Sequence, residues 1–316
     1  MSATTAALPG PLAAIAARPR LAALLGAMCI AFSGILYRWA EVSPSTGTVF
    51  RALFGLPLLG FVAWLEHRRY GPLPANTVRL AAAAGVFFAG DLLFWHHAIE
   101  AVGAGLATVL GNLQVLVVGL VAWVVLRERP SRSVFAALPV VLVGVGLISG
   151  LGGGAYGKDP VLGVALGLAT ACCYAGYLLV IRRGGRDLRR PAGPVAIATA
   201  STAAVAVALG FIGGDLNLAP GLPSLAWLAV LGLTSQSAGY LLISLSLPRL
   251  PAVVTSMILL SQPVASVILA MVLLGESPSP TQLAGVALVV GGIAIATLPG
   301  RGRAAVAPKP STAAGS

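Results

Sequence analysis

Two side chains of opposite charge lie inside apolar stretches of this 316-residue sequence, where they are well placed to bind a charged group. Arg51 follows the start of one stretch near Ser45, and Asp91 precedes the end of the next stretch near Ile99. At the helical rise, both lie roughly 9 to 12 Å from the same end of a helix pair. An ionised side chain in an apolar helix needs a partner or an aqueous cavity. We therefore predict an Arg51–Asp91 ion pair, which either clamps the two helices or lines a cavity that binds a charged group or a proton.

Trp95 and two histidines follow Asp91 on the same predicted helix. Trp95 comes four residues later and therefore lies on the same helical face as Asp91. His96 and His97 point about 100° apart, so at most one of them faces a cavity well. A histidine in the cavity could carry protons, and the alternative is a polar side chain near the membrane interface. Because adjacent helical positions diverge and the sequence shows no further ligands, we predict no metal site.

Amide side chains form a second group near the middle of the predicted helices. Gln114 and Gln262 lie deep in their apolar stretches at equivalent positions of an internal repeat, and Asn112 is close to the first. Gln236 lies at a similar depth in its own stretch. Amides in hydrocarbon must find partners. Hydrogen bonds between helices and direct contact with a substrate both remain open for these residues.

Aromatic side chains are expected to supply apolar walls for a cavity. Phe32 and Tyr174 are equivalent by the repeat, because Gly34 aligns with Gly176. Further candidates are Tyr37, Phe54, Phe88, Tyr177 and Tyr240. Single aromatics in membrane helices also serve as packing residues or interface anchors, so both roles stay open.

Ten apolar segments must position these residues. Hydrophobic residues make up 58% of the chain and charged residues 9%, far below the roughly 25% typical of soluble domains. Several apolar runs reach the length that crosses a bilayer. The predicted fold class is an all-α polytopic membrane protein with ten spans at about residues 21–39, 45–65, 78–99, 103–126, 132–149, 160–181, 192–213, 224–247, 251–274 and 281–298.

An internal repeat divides the chain into two halves. A shift of 148 positions aligns 103–149 with 251–297 without a gap, placing Gln114 on Gln262 and Glu128 on Glu276. Five spans per half is an odd number, so the halves must be inverted relative to each other. We predict a cytoplasmic N-terminal tail at 1–20, a first five-helix repeat at 21–149, an outer linker at 150–159, a second five-helix repeat at 160–298 and a disordered cytoplasmic tail at 299–316.

The basic residues indicate how the chain is oriented. Placing the N-terminus inside leaves 17 of the 20 Lys and Arg residues in cytoplasmic segments, as the positive-inside rule requires. Both termini are therefore predicted to be cytoplasmic, in the cell's inner (cytoplasmic) membrane. The net charge of +11 comes from short clusters without interleaved aromatic residues, so we expect the lipid bilayer and no nucleic acid as a partner.

Nucleotide-driven and enzymatic functions are not expected. Gly152–Lys158 matches part of a P-loop, but Asp159 stands where Ser or Thr would hold magnesium, and no strand precedes it. Asp91 is the one carboxylate predicted within the membrane, which does not supply a paired catalytic set. We therefore predict a protein that is not an enzyme and uses no cofactor.

Several short motifs resemble those of a known family. They are Ala31-Phe32-Ser33-Gly34, Phe50-Arg51-Ala52-Leu53, the segment Gly90–Ala98, the ending Leu126-Arg127-Glu128-Arg129-Pro130 and its echo Leu274-Gly275-Glu276-Ser277-Pro278. With them the chain resembles the EamA-type transporters of the drug/metabolite transporter superfamily. The resemblance implies ten helices in two five-helix repeats, and secondary transport of small molecules.

This resemblance sets the expected function. Similar proteins export amino acids and other metabolites, and some import. We expect alternating access with export of amino acids or related compounds, a small-molecule substrate and a proton as a candidate coupling ion. The substrate would bind between spans three/four and eight/nine, with spans one, two, six and seven gating. An importer or a multidrug-type efflux carrier of the same fold is the alternative, and an intramembrane enzyme or non-transporting scaffold is more remote.

Overall fold

The computed structural model describes residues 18–126, 132–151, 153–184, 187, 190–246, 250 and 252–297. Within these ranges the chain is all-α and contains no strand. Most of the predicted N-terminal tail, the C-terminal tail 299–316 and the connections that carry Glu128 and Arg249 lie outside the described residues.

Ten spans are built from thirteen α-helices and one π-helix within the described ranges. The first half contains α1 (Pro19–Ala31), α2 (Ser33–Ala40), α3 (Pro44–Tyr70), α4 (Ala75–Val102), α5 (Ala104–Gly111), α6 (Gln114–Leu126) and α7 (Arg132–Ile148). The second half contains α8 (Pro160–Gly184), α9 (Ala192–Gly213), α10 (Leu222–Leu231), the π-helix (Gly232–Gly239), α11 (Tyr240–Ser246), α12 (Ala252–Leu273) and α13 (Pro280–Thr297). Span one joins α1 to α2, span four joins α5 to α6, and span eight runs from α10 through the π-helix to α11.

The helices have the length and composition of membrane spans. Eight helical stretches in the described chain are long and apolar enough to cross a bilayer, and 132–148 and 258–273 are shorter apolar helices. The chain is therefore a multi-pass membrane protein of ten helices in two inverted repeats, as the apolar pattern predicts. Large apolar side chains such as Phe61, Leu142 and Ile212 are exposed, as expected where a helix contacts lipid.

Several spans are irregular near their middle. Span one is interrupted at Phe32, and span four at Asn112 and Leu113, where the Leu113 amide donates to the Leu110 carbonyl at 3.0 Å. In the second half, Pro263 lies within α12 one residue after Gln262 and removes a backbone donor at the corresponding depth. Irregular backbone at membrane depth is tolerated where it is buried in protein or lines a cavity.

The two halves interlock. Spans three and six pack along most of their length, as do spans five and ten and spans two and seven, whereas span nine packs against the first part of span four, α5. The five/ten contact is a backbone approach, since a Cβ at Gly144 would lie 2.8 Å from the Gly285 carbonyl oxygen. Small residues permit such approaches between membrane helices.

The helical bundle has two ends, a terminal face and a linker face. The terminal face carries the start of α1 and the connection 71–74 between spans two and three. The linker face carries the connection 149–159 between the two halves, with Tyr156 and Lys158.

Candidate functional site

Arg51 is held in the core by contacts from the second half of the chain. Its side chain is 2% exposed. Nε donates to Oε1 of Gln236 at 3.0 Å, and the Gln236 amide donates in turn to Oγ1 of Thr199 at 3.1 Å. The guanidinium carbon lies 5.6 Å from the centre of the Trp95 ring. Nη1 is buried without a hydrogen-bond partner among the described residues, so one donor of a fixed guanidinium is available.

Close backbone packing brings Gln236 to Arg51. A Cβ at Gly55 would lie 2.7 Å from Cγ of Gln236, and a Cβ at Gly232 would lie 2.8 Å from the Arg51 carbonyl oxygen. The Ser237 hydroxyl ties the π-helix to span two by donating to the Gly55 carbonyl at 2.8 Å. π-helical turns are rare and frequently occur at functional sites.

Asp91 lies close enough to Arg51 for the two charges to interact, but no salt bridge joins them among the described residues. In the part of the chain that the structure describes, the Asp91 carboxylate has no salt bridge and no hydrogen bond, although the residue is only 7% exposed. Both charges act electrostatically on the Tyr174 and Tyr240 side chains, so they face one region. The charges of Arg51 and Asp91 act on each other without a salt bridge, and the Arg51 Nε donates to Gln236.

Four aromatic rings form a wall next to the two charges. Phe88, one helical turn before Asp91, stacks on Tyr177 with ring centres 4.6 Å apart and meets Tyr240 edge-on at 5.6 Å. Tyr174 lies 5.5 Å from Tyr177. Three of the predicted wall residues thus meet Phe88. Phe32 lies at the break in span one, is 37% exposed and has no ring contact within the described ranges.

The adjacent histidines point in different directions, as helical geometry requires. His96 is fully buried, stacks on Tyr37 with ring centres 4.0 Å apart, and places Nδ1 2.8 Å from Oγ1 of Thr48. The Thr48 hydroxyl donates to the Pro44 carbonyl, so we assign the proton of His96 to Nδ1. This leaves Nε2 as a buried acceptor without a partner in the described chain. His97 is 47% exposed, 3.8 Å from Glu100.

Of the four predicted amides, Gln236 bonds Arg51, whereas Asn112, Gln114 and Gln262 form no hydrogen bond with Arg51 among the described residues. Asn112 donates to the Thr108 carbonyl at 2.8 Å and so supports the broken turn of span four. Oε1 of Gln114 is buried without a partner, and Gln262 makes no hydrogen bond in the described part of the chain. Both glutamines therefore retain free hydrogen-bonding groups. No hydrogen bond among the described residues joins them to Arg51.

Comparison with known families decides the identity of the fold. The sequence profile of the EamA-like transporter family matches residues 18–150 and 161–298. The chain belongs to the EamA-like transporter family. This EamA-like protein is therefore a transporter, which confirms the resemblance of the motifs around Arg51 and Asp91.

Relatives of this EamA-like transporter match most of its length. The uncharacterized transporter YwfM of Bacillus subtilis (strain 168) is 24% identical over 256 residues, or 81% of this chain and 84% of the relative. The uncharacterized protein PA1977 of Pseudomonas aeruginosa is 29% identical over 292 residues, or 91% and 97%. A solved crystal structure with 23% identity and a TM-score of 0.57 covers 88% of this chain and 98% of that one, and shows the fold alone.

The structure of this EamA-like transporter adds residues that were not predicted for the site. Thr199 and Thr48 complete the hydrogen bonds around Arg51 and His96. Carboxylates of Glu66 and Glu276 bind the first amides of spans seven and four. The starts of these two spans could have predicted such acceptors. Neither Ala192 nor Ala104 is preceded by a side-chain cap, so the first amides of both helices need acceptors from elsewhere.

Proposed function

We propose that this EamA-like transporter is a secondary transporter that exports amino acids or related compounds by alternating access. In this proposal it lies in the cytoplasmic membrane with both termini and the terminal face inside and the linker face outside. The observation that carries the proposal is that Arg51 and Asp91 are both buried, that no salt bridge joins them among the described residues, and that Nη1 of Arg51 has no hydrogen-bond partner there.

The two charges suit a ligand that carries both opposite charges. An unpaired charge in a low-dielectric interior is costly, so a binding partner that supplies the counter-charge gains free energy. The free Nη1 of Arg51 is a donor for a carboxylate. The Asp91 carboxylate is an acceptor for an ammonium group. A zwitterion satisfies both at once, whereas a simple amine or acid satisfies one.

The aromatic wall favours an amphipathic ligand. Phe88 contacts Tyr174 and Tyr240, both tyrosines interact electrostatically with the two charges, and the Trp95 ring lies against the guanidinium. Apolar walls with a few placed polar groups are typical of small-molecule sites. An α-amino acid with an apolar or aromatic side chain fits this combination.

The irregular spans support alternating access. Discontinuous helices at the interface of inverted repeats are where transporters of this architecture bind substrate and change conformation. Here the breaks at Phe32 and Asn112 and the π-helix of span eight lie at such an interface. Asp91 is the residue we propose to carry a coupling proton, because its carboxylate forms no salt bridge among the described residues. Of the spans predicted to gate, spans one and six keep that role in this proposal, whereas span two contributes Arg51 and packs against span seven.

The first experiment measures thermal stabilisation of the full-length protein in detergent by L-phenylalanine, by its decarboxylated analogue phenethylamine and by its deaminated analogue 3-phenylpropionate. A ligand at about 100 times its Kd stabilises the native state by about 2.7 kcal/mol. We expect the zwitterion to raise the melting temperature and each analogue to do so much less. If either analogue raised the melting temperature as much as L-phenylalanine does, the proposed two-charge site, in which Arg51 binds the carboxylate and Asp91 the ammonium group, would be contradicted.

Charge-removing variants test the same site. Asp91→Asn is expected to abolish discrimination against 3-phenylpropionate, because the ammonium partner is then gone. Arg51→Gln is expected to abolish discrimination against phenethylamine. Glu41→Gln and Arg79→Gln change exposed charges and serve as controls. Wild-type preferences in both site variants, with counterflow in proteoliposomes unchanged, would refute the proposal.

A further inference from the structure

Three carboxylates each bind the first backbone amides of a helix in the other half of the chain. Glu66, near the end of span two, accepts from the Ala192 and Gly193 amides at 2.9 and 2.8 Å. Asp215, just after span seven, accepts from the Ser45 amide at 3.1 Å. The first turn of a helix carries unsatisfied donors and a partial positive charge, so a carboxylate there is well stabilised.

The third carboxylate joins a different pair of spans. Glu276, in the connection after span nine, accepts from the Ala104 amide at 2.6 Å and the Gly105 amide at 3.2 Å. These amides begin span four, in the other half. Glu276 is 5% exposed, so this junction is buried.

The first two junctions secure spans two and seven at both ends. Glu66 acts at the terminal face and Asp215 at the linker face, where the Ser43 hydroxyl also donates to the Asp215 carbonyl. At the linker-face end, a Cβ at Gly210 would lie 2.7 Å from the Ser45 side chain. Spans two and seven therefore cannot separate at one face without breaking a charged contact.

Spans four and nine close along a narrow seam beneath Glu276. The Ser266 hydroxyl donates to Oγ1 of Thr108 at 3.1 Å, and Ser266 is fully buried. A Cβ at Gly105 would lie 2.9 Å from the Val267 Cα. Deeper in the same two spans, Gln114 and Gln262 lack hydrogen-bond partners among the described residues. The linker-face end of this pair is therefore closed, whereas its middle keeps free polar groups.

The local backbone shapes the Glu276 junction. Gly275 has φ +68 and ends α12, and the Glu276 amide returns to the Ala270 carbonyl at 3.2 Å, which turns the carboxylate toward span four. On the other side, Gly103 has φ +90, and a Cβ there would lie 2.7 Å from Oε2 of Glu276. Burial raises the pKa of the Glu276 carboxyl above its ordinary value, while the two amide hydrogen bonds oppose the shift.

We propose that Glu276 is the latch of the linker-face gate, a positioning residue that holds spans four and nine together there, while Glu66 and Asp215 hold spans two and seven together as the fixed axis of the transport cycle. The proposal rests on alternating access as the mechanism. Release at the linker face then requires the two amide contacts of Glu276 to break, with Asp215 unchanged.

The test measures cysteine accessibility in full-length protein with Cys29, Cys172 and Cys173 replaced by Ala. Ser266→Cys reports on the four/nine seam, and Ala206→Cys, also buried, reports on the two/seven contact. Both are labelled with a hydrophilic maleimide in lipid nanodiscs. Because a hydrogen bond to a charged group contributes about 1.5–3 kcal/mol, we expect Glu276→Gln to speed labelling of Ser266→Cys roughly tenfold or more. Labelling of Ala206→Cys should stay unchanged.

Asp215→Asn is the matched control, because it removes a carboxylate from a helix start at the same face but in the other pair. It should lower the melting temperature and leave Ser266→Cys labelling at the wild-type rate. Gly103→Ala is a second gate variant, for use if Glu276→Gln folds poorly. It keeps the Glu276 carboxylate but displaces it by steric conflict, so it should also speed labelling of Ser266→Cys. The latch role of Glu276 would be refuted if Ser266→Cys were labelled at the wild-type rate in both Glu276→Gln and Gly103→Ala. It would also be refuted if Asp215→Asn sped this labelling as much as Glu276→Gln does. The labelling test needs no substrate, so it remains valid even if Arg51 and Asp91 do not bind a zwitterion.

Discussion

At the residue scale, the feature that distinguishes the site is an arginine oriented by a neutral amide. Gln236 uses its oxygen for Arg51 and its nitrogen for Thr199, so both ends of the amide are fixed. A neutral partner orients the guanidinium without cancelling its charge. A carboxylate in its place would form an ion pair and compete with an anionic ligand group. Asp91 carries the opposite charge, and its carboxylate forms no salt bridge with any described residue.

Substitution of Gln236 tests this orienting role. Gln236→Glu should raise the KM for the zwitterionic substrate by about tenfold or more, because the new carboxylate pairs with Arg51 and a charged hydrogen bond contributes about 1.5–3 kcal/mol. Gln236→Leu should raise KM less and leave the charge preference intact. Counterflow in proteoliposomes measures both. A lower KM in Gln236→Glu would show that the guanidinium does not bind the substrate carboxylate.

At the element scale, helix starts without local caps are completed by the opposite half. Span seven begins at Ala192 after Pro191 with no side-chain cap, and Glu66 takes over that role from span two. Arg190 adds a second link by donating to the carbonyls of Tyr70 and Gly71 at 2.7 and 3.0 Å. The orphan amides of one repeat are thus satisfied by the other, which couples helix formation to assembly of the halves.

Removal of the Glu66 carboxylate should destabilise the protein. Glu66→Ala leaves the Ala192 and Gly193 amides without their acceptor, and loss of a helix cap typically costs about 0.5–2 kcal/mol. We expect a lower melting temperature in nanodiscs with the charge preference of the site retained. The exposed charge change Arg79→Gln is the control. A melting temperature equal to wild type would mean that water satisfies these amides equally well.

At the scale of the whole molecule, the interlocked repeats create one interface with several kinds of contact. Spans five and ten meet through glycine backbone, spans two and seven through carboxylate junctions, and spans four and nine through a seam that contains polar side chains. Glycine contacts leave no room for rearrangement, since packed interfaces do not deform continuously. The five/ten contact is therefore expected to stay constant while the seam of spans four and nine changes.

Enlarging the five/ten contact tests its constancy. Gly144→Val would place a side chain 2.8 Å from the Gly285 carbonyl, so the two helices must separate. Overpacking of this kind typically costs about 1–3 kcal/mol. We expect a lower yield and melting temperature without a change in labelling of Ser266→Cys. Gly291→Val, a glycine with open space around its Cβ position, is the matched control. Faster labelling in Gly144→Val alone would mean that this contact takes part in gating.

The sequence by itself determined the ten spans, their inverted repetition and the residues Arg51, Asp91, Trp95 and Gln236 as candidates. These features are local, because apolar length and the depth of a polar residue along a helix can be counted from the chain. Depth alone also suggested the Arg51–Asp91 pair. It fixes height in the membrane but not the direction in which a side chain points around its helix axis.

Only the tertiary structure decided which partners meet. Arg51 binds Gln236 because Gly55 and Gly232 bring two distant helices into backbone contact and the π-helix sets the rotation of span eight. Glu276 reaches span four because a helix end turns it back across the boundary between the halves. Both outcomes depend on how helices rotate and cross when they pack, and packing joins residues far apart in the chain whose mutual orientation no local pattern encodes.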